Sequence, residues 1–267
     1  MKNILELRGV SAGYDNSPGF KNSGAPKKRP VICNINLAVK EGELVVLAGP
    51  NGSGKTTLLK TAGGLLAPVE GRVALNGKDI GTLKRRERAA LSAFLFQVRD
   101  SPWPFTVREI VAQGRFARLG WLGTESGEDR RAVAAALEKA ELGALSDRPV
   151  TELSGGELQR VYIARCIAQG ASFLLFDEPE NNLDPKYAHM VMTLIKDLVR
   201  EGRLAIVSLH DLRLANAFAD RIVLLSCPSA NEPASIFAAG TPEEVLTDEL
   251  VGRVFDLSPD LVKNIIL

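Results

Sequence analysis

The chain has 267 residues, enough for one large α/β domain or a two-lobed unit with a substantial buried core. Its 33 Lys and Arg balance 32 Asp and Glu, so no global positive field points to nucleic acid as a partner. Cys33, Cys166 and Cys227 stand far apart without C-x-x-C spacing, and His189 and His210 are too separated for a histidine cluster; buried free thiols in a reducing compartment are expected.

The first residues, MKNILELRGV, alternate like a strand and lack the apolar core of a secretory leader. No apolar run approaches the ~20 residues that span a bilayer, so a soluble protein is expected. Strand-like runs fall at 4–8, 31–39, 43–49, 72–75, 92–96, 172–177, 204–208, 221–226 and 235–239. The runs at 43–49, 172–177 and 204–208 are almost continuously apolar, as when helices cover both faces of a sheet. Residues 15–30, rich in Gly, Pro, Ser, Asn and Lys, read as an unusually long exposed loop. The basic runs at 26–29 and 84–88 read as solvated surface. Short strands and glycine turns such as LNGKDI (75–80) predict an antiparallel flank in the N-terminal third. From 106 to 170 the apolar spacing turns helical, in TVREIVAQGRFARLG, EDRRAVAAALEKAEL and GGELQRVYIARCIAQG. That places a helical lobe at about 98–165, inserted between two strands. TPEEV (241–245) starts a helix, with Thr241 as cap, Pro242 in the first turn and Glu244 closing a capping box.

Three motifs carry chemistry. Gly49, Pro50, Asn51, Gly52, Ser53, Gly54, Lys55, Thr56 and Thr57 fit the phosphate-loop pattern G-x-x-x-x-G-K-[ST], between an apolar strand and a helix. Backbone N–H groups can converge there on phosphate oxygens, Lys55 supplies a point charge and Thr56 a hydroxyl for Mg²⁺. The pattern implies a nucleoside triphosphate site. FLLFDE (173–178) is an apolar strand ending in two carboxylates; in triphosphate hydrolases the first, Asp177, holds Mg²⁺, and the second, Glu178, polarises the attacking water. In LSGGE (153–157) Ser154 can cap a helix, while Gly155 and Gly156 leave N–H groups open to an anion.

In this order and setting, the motifs resemble the ATP-binding-cassette (ABC) ATPase family, from about residue 4 to 250. The resemblance implies a P-loop NTPase α/β fold, with a mostly parallel central sheet, an N-terminal antiparallel flank and an inserted helical lobe. Residues 1–267 then form one ATPase domain, with 1–97 and 166–267 as catalytic core and about 98–165 as helical subdomain. It implies Tyr14 stacking on adenine, Gln97 at Mg²⁺ and the attacking water, His210 contacting the γ-phosphate, and Asp184 in a loop at the dimer interface. Glu178, His210 and Gln97 are thus the expected catalytic residues, and Thr56, Gln97 and Asp177 the expected metal-binding ones. ATP and Mg²⁺ are the expected ligands, completed in a homodimer by Ser154, Gly155 and Gly156 of the other copy. Two positions depart from the commonest family pattern: Glu180 stands where threonine is usual, expected to point away from the metal, and Glu157 where glutamine is usual.

A single cassette without a membrane segment resembles a bacterial importer subunit, and the stretches TVREIVAQGRFARLG, EDRRAVAAALEKAELGALSDRPVTELSGGELQRVYIARCIAQ, HDLRLANAFADRIVLL and AAGTPEEVLT are similar to the ATPases that power uptake of ferric siderophores, haem and cobalamin. That implies two permease chains fed by a substrate-binding protein, no nucleic acid, and a peripheral position on the cytoplasmic face of the inner membrane. A permease groove at about 98–120 would use Trp103, Phe105 and Phe116, for which lobe core is the competing reading. The alternative function is a soluble ABC ATPase in assembly, such as iron–sulfur cluster biogenesis. A nucleotide kinase would leave LSGGE, Gln97 and His210 unexplained.

Overall fold

The computed structural model describes residues 3–15, 28–96, 104–118, 125–227, 232–258 and 261–262. In chain order these form β1 (Asn3–Asp15), β2 (Lys28–Lys40), β3 (Leu44–Ala48), α1 (Lys55–Ala62), β4 (Glu70–Leu75), β5 (Lys78–Asp79), α2 (Arg85–Leu91), β6 (Ser92–Leu95) and α3 (Val107–Ala112). There follow α4 (Gly127–Lys139), α5 (Gly155–Gln169), β7 (Phe173–Asp177), α6 (Pro185–Arg200), β8 (Leu204–Ser208), α7 (Leu212–Phe218), β9 (Arg221–Ser226), β10 (Ser235–Gly240), α8 (Pro242–Val245) and α9 (Asp248–Phe255). Every expected strand run is a strand, and the LNGKDI turn adds the two-residue β5. The chain divides into two units, Met1–Leu83 with Ser208–Leu267, and Lys84–Val207.

In the first unit an antiparallel sheet runs β2-β1-β4-β5, the flank expected from the alternating N-terminal sequence. Its alternation is physical: Leu5, Leu7, Val73 and Leu75 are buried, while Arg8 and Arg72 meet solvent on strand pairs of the same ladder. β1 continues to Asp15 and pairs Gly13 with Pro30 and Tyr14 with Arg29, so both ends of the expected 15–30 loop are strand. Ladder hydrogen bonds override the turn-rich composition there; residues 16–27 lie outside the described residues. A second group orders β10, β9 and β3, with β3 and β9 parallel and β10 antiparallel to β9. All five residues of β3 are buried, each large apolar one stabilising by roughly 1.5–3 kcal/mol, so the loop after it leaves from a fixed strand end.

The second unit orders β8, β7 and β6, with β6 and β7 parallel and β7 buried throughout. The helical texture of 106–170 becomes α3, α4 and α5. α3 is shorter than its apolar spacing suggests, because the chain tightens into a 3-10 turn at Gln113–Arg115. Local chemistry sets the helix ends. Ser126 and Asp129 form a capping box on α4, Asp184 accepts from Tyr187 N–H at the start of α6 with Pro185 behind it, and Glu244 accepts from Thr241 N–H at 2.9 Å.

Candidate functional site

The phosphate-loop motif leaves β3 at Gly49, whose φ is 148° and whose missing side chain matters: a Cβ would lie 2.5 Å from the Leu225 carbonyl oxygen. Gly54, with φ 82°, caps α1 in a left-handed conformation, and a Cβ there would meet Ile32 Cγ2 at 2.4 Å. Between them Ser53 N–H donates to Pro50 O at 3.2 Å, closing the turn. The Ser53 side chain is buried, and its Oγ has no hydrogen-bond partner among the described residues. A buried hydroxyl left so costs about 1–3 kcal/mol, a cost that a phosphate oxygen or ordered water would remove. Lys55 is buried, and its Nζ donates to Gly49 O at 2.8 Å and Pro50 O at 3.2 Å, so the ammonium lies over the loop. Asn51 and Gly52 are exposed, Pro50 and Thr56 half-buried, and Thr57 buried on α1.

The same unit sets two further expected residues beside the elements that flank this loop. Leu209 N–H donates to Leu47 O at 3.1 Å, which sets the exposed His210 beside the end of β3, two residues before the loop begins. Tyr14 is 43% exposed on β1, and Lys60, on α1, places its Nζ 5.9 Å from the ring centroid. That ring is free enough to stack on a planar base, with a cation from the phosphate-loop helix beside it. Lys60 is not singled out by any motif; only the packing of α1 reveals it.

In the second unit β7 delivers Asp177, buried at the strand end, and Glu178, half-buried. Glu178 has φ 52°, a left-handed conformation that a residue with a side chain adopts at a cost of about 1–2 kcal/mol. Asn181 helps to fix it: its N–H donates to Glu178 O at 3.1 Å and its Nδ2 to Glu178 Oε2 at 3.4 Å. Glu180 is buried, held within the same turn by the bond from Leu183 N–H to its carbonyl. Asp184 is exposed and caps α6.

Ser154 caps α5, and Glu157 returns the bond, accepting from Ser154 N–H and Oγ at 2.8 Å each. Those bonds, the backbone one foremost, hold the Glu157 carboxyl below its ordinary pKa. The unusual Glu157 is therefore the second half of a capping box, which the spacing S-x-x-E already signals. The two glycines differ. A Cβ at Gly156 would strike the Tyr187 ring at 2.7 Å, so α5 and α6 start in close contact. A Cβ at Gly155 would meet nothing within 4 Å, leaving that exposed face clear for an approaching group. Tyr187 thus lies between the glycine turn and Asp184, whose carboxylate takes its N–H.

Gln97 and Trp103 lie outside the described residues. Phe105 and Phe116 are 43% and 65% exposed, which favours a surface over lobe core for both. Cys166 is buried, and burial pushes its thiol up to about 11, whereas Cys33 and Cys227 are only half-buried.

Residues 32–181 match the family model described as ABC transporter. The chain is 39% identical over 228 residues to the hemin import ATP-binding protein HmuV of Streptomyces coelicolor, covering 85% of this chain and 79% of that protein. It is 34% identical over 237 residues to the iron(3+)-hydroxamate import ATP-binding protein FhuC of Bacillus subtilis, covering 88% and 86%. Among solved structures, the dimeric ATP-binding cassette MJ0796 in a post-hydrolysis state with ADP and phosphate has a TM-score of 0.72 at 30% identity, covering 90% of this chain and 99% of its own. The ATP-binding cassette MJ1267 in its ADP conformation shares the fold at a TM-score of 0.79 and 23% identity, covering 96% of this chain and 99% of its own.

Proposed function

We propose, on the premise that this chain belongs to the ABC transporter family of ATP-binding ATPases, that it drives import of a metal chelate such as a ferric siderophore or haem. The observation that carries this reading is the kinship with import ATP-binding proteins over 85–88% of the chain. The relatives named above are import proteins, which does not favour the cluster-assembly alternative. A homodimer docks on permease chains supplied by a substrate-binding protein, at the cytoplasmic face of the membrane. No helix among the described residues is long and apolar enough to cross a bilayer, so the permease chains make the passage.

The residues take the following roles in this reading. Lys55 turns from the carbonyls of Gly49 and Pro50 to the β- and γ-phosphates, and the N–H groups and the buried Ser53 hydroxyl of the loop receive phosphate oxygens. Thr56, Asp177 and Gln97 would hold Mg²⁺, which when bound neutralises charge on the phosphates. The hard oxygen donors of this set suit that ion. Glu178 accepts a proton from water as the water oxygen bonds to the γ-phosphorus and the bridging bond to ADP breaks, giving ADP and inorganic phosphate. His210 faces the γ-phosphate, Tyr14 stacks on adenine, and Ser154, Gly155 and Gly156 of the other copy close the site with a helix N-terminus. Asp184 lies at the junction between copies, and Phe105 and Phe116 meet the permease.

Deleting the gene tests the transport claim. Growth on haem or ferric siderophores as sole iron source should fail, and the tagged protein should copurify with two membrane chains. Normal uptake of every chelate tried would remove the import assignment while leaving ATP hydrolysis untouched.

A further inference from the structure

We propose that Arg115 is a positioning residue, locking segment 114–118, which presents Phe116, onto the C-terminal end of α5. The segment and the 154–156 turn at the other end of α5 then move as one body. The inference rests on the reading of that turn as nucleotide-facing.

The segment lies directly on the helix. A Cβ on Gly114 would sit 2.2 Å from the Arg165 carbonyl oxygen, so nothing larger than glycine permits the approach. The last carbonyls of an α-helix have no partners within it and carry the negative end of its dipole. Here arginines from one short segment occupy that end. Arg115 Nη1 donates to Ala168 O at 2.8 Å, Arg118 Nε to Gln169 O at 3.2 Å, and Arg118 Nη2 to Gly170 O at 3.3 Å.

Arg115 differs from Arg118 in being 5% exposed and in bonding a side chain away from the end of α5. Its Nε donates to Asp129 Oδ1 at 2.7 Å, and Asp129 is itself held by the Ser126 hydroxyl at 2.6 Å in the first turn of α4. One guanidinium therefore joins three elements: the turn after α3, the start of α4 and the end of α5. Its planar fork meets both partners from the turn that carries it, which a lysine cannot do. Buried ion pairs of this kind add little net stability but penalise any arrangement that separates the partners. That is the property wanted of a joint.

From the joint, α5 runs without interruption for 15 residues, about 22 Å, to Ser154. Its C-terminal end is also tied by Gln169 Nε2 to Ala89 O at 2.6 Å and Ser92 O at 3.0 Å. Phe116, 65% exposed on the stapled segment, is the large apolar group that a partner would grip. A push there reaches the glycine turn through a packed helix rather than through a loop.

The test uses the full chain with Cys33 and Cys227 changed to Ser and spin labels on Phe116→Cys and Thr151→Cys. The parent should give one narrow label-to-label distance with and without Mg·ATP. Arg115→Gln should broaden it and, at unchanged ATP affinity, lower turnover per bound ATP by about tenfold. Normalising to bound ATP removes any loss of folded protein, so a merely structural lesion would leave that ratio intact. Asp129→Asn keeps a neutral acceptor for Arg115 and should show a smaller broadening; it decides the matter if Arg115→Gln fails to fold. Distances as narrow as the parent's in the folded variants, or unchanged turnover per bound ATP, overturn the proposal. An unsubstituted, unlabelled chain that hydrolyses no ATP would instead count against the nucleotide reading, which the distance data do not use.

Discussion

Replacing Glu178 with Gln and, separately, with Gly divides its chemistry from its strain. Glu178 sits at φ 52°, costing about 1–2 kcal/mol for a residue with a Cβ. Glycine escapes that cost but gives up about 0.4–1 kcal/mol through greater freedom in the unfolded chain. The bond from Asn181 Nδ2, at 3.4 Å, is too long to add much to either side. The Gly variant should therefore range from equally stable to about 1.6 kcal/mol more stable than the parent, a rise in Tm of up to about 6 °C. The Gln variant keeps the strain and should melt with the parent. Both should lose ATP turnover by about 10²-fold or more while binding ATP normally, as expected when a general base is removed. Phosphate release at saturating Mg·ATP, equilibrium titration and thermal unfolding read the three quantities. Undiminished turnover in the Gln variant would refute the assigned role, and a Gly variant melting several degrees below the parent would refute the strain.

Other consequences are as direct. Lys55→Ala removes the ammonium now held by Gly49 O and Pro50 O and should abolish measurable ATP affinity in an equilibrium titration. Tyr14→Ala should weaken ATP binding by about tenfold, with Tyr14→Phe close to the parent, since stacking on a base is worth roughly 1–3 kcal/mol and needs only the ring. The Ser126 hydroxyl, then Arg115, lower the Asp129 carboxyl from its ordinary 3.8 to about 2. A depressed folded pKa means stability present above about pH 4 and lost as pH falls toward 2. Thermal unfolding across that window should show this loss in the parent and a flatter profile in Asp129→Asn.

What the amino-acid order settled by itself is the chemistry that acts between near neighbours. The phosphate loop, the Ser154 cap and the Thr241/Glu244 box are legible because their donors and acceptors lie within a few residues of one another. The apolar runs of β3, β7 and β8 are legible because burial on both faces leaves no room for polar side chains. Composition misled at Asp15 and at 28–30, where pairing of β1 with β2 outweighed turn-forming residues. Only the folded chain decided which distant groups meet. Lys60 stands by Tyr14, the Leu209–Leu47 bond sets His210 beside the end of β3, Tyr187 explains Gly156, and Arg115 finds α5 rather than solvent. Residue type states what a side chain can bond to, whereas the partner is selected by where the backbone carries it, and that depends on the packing of elements far apart in sequence.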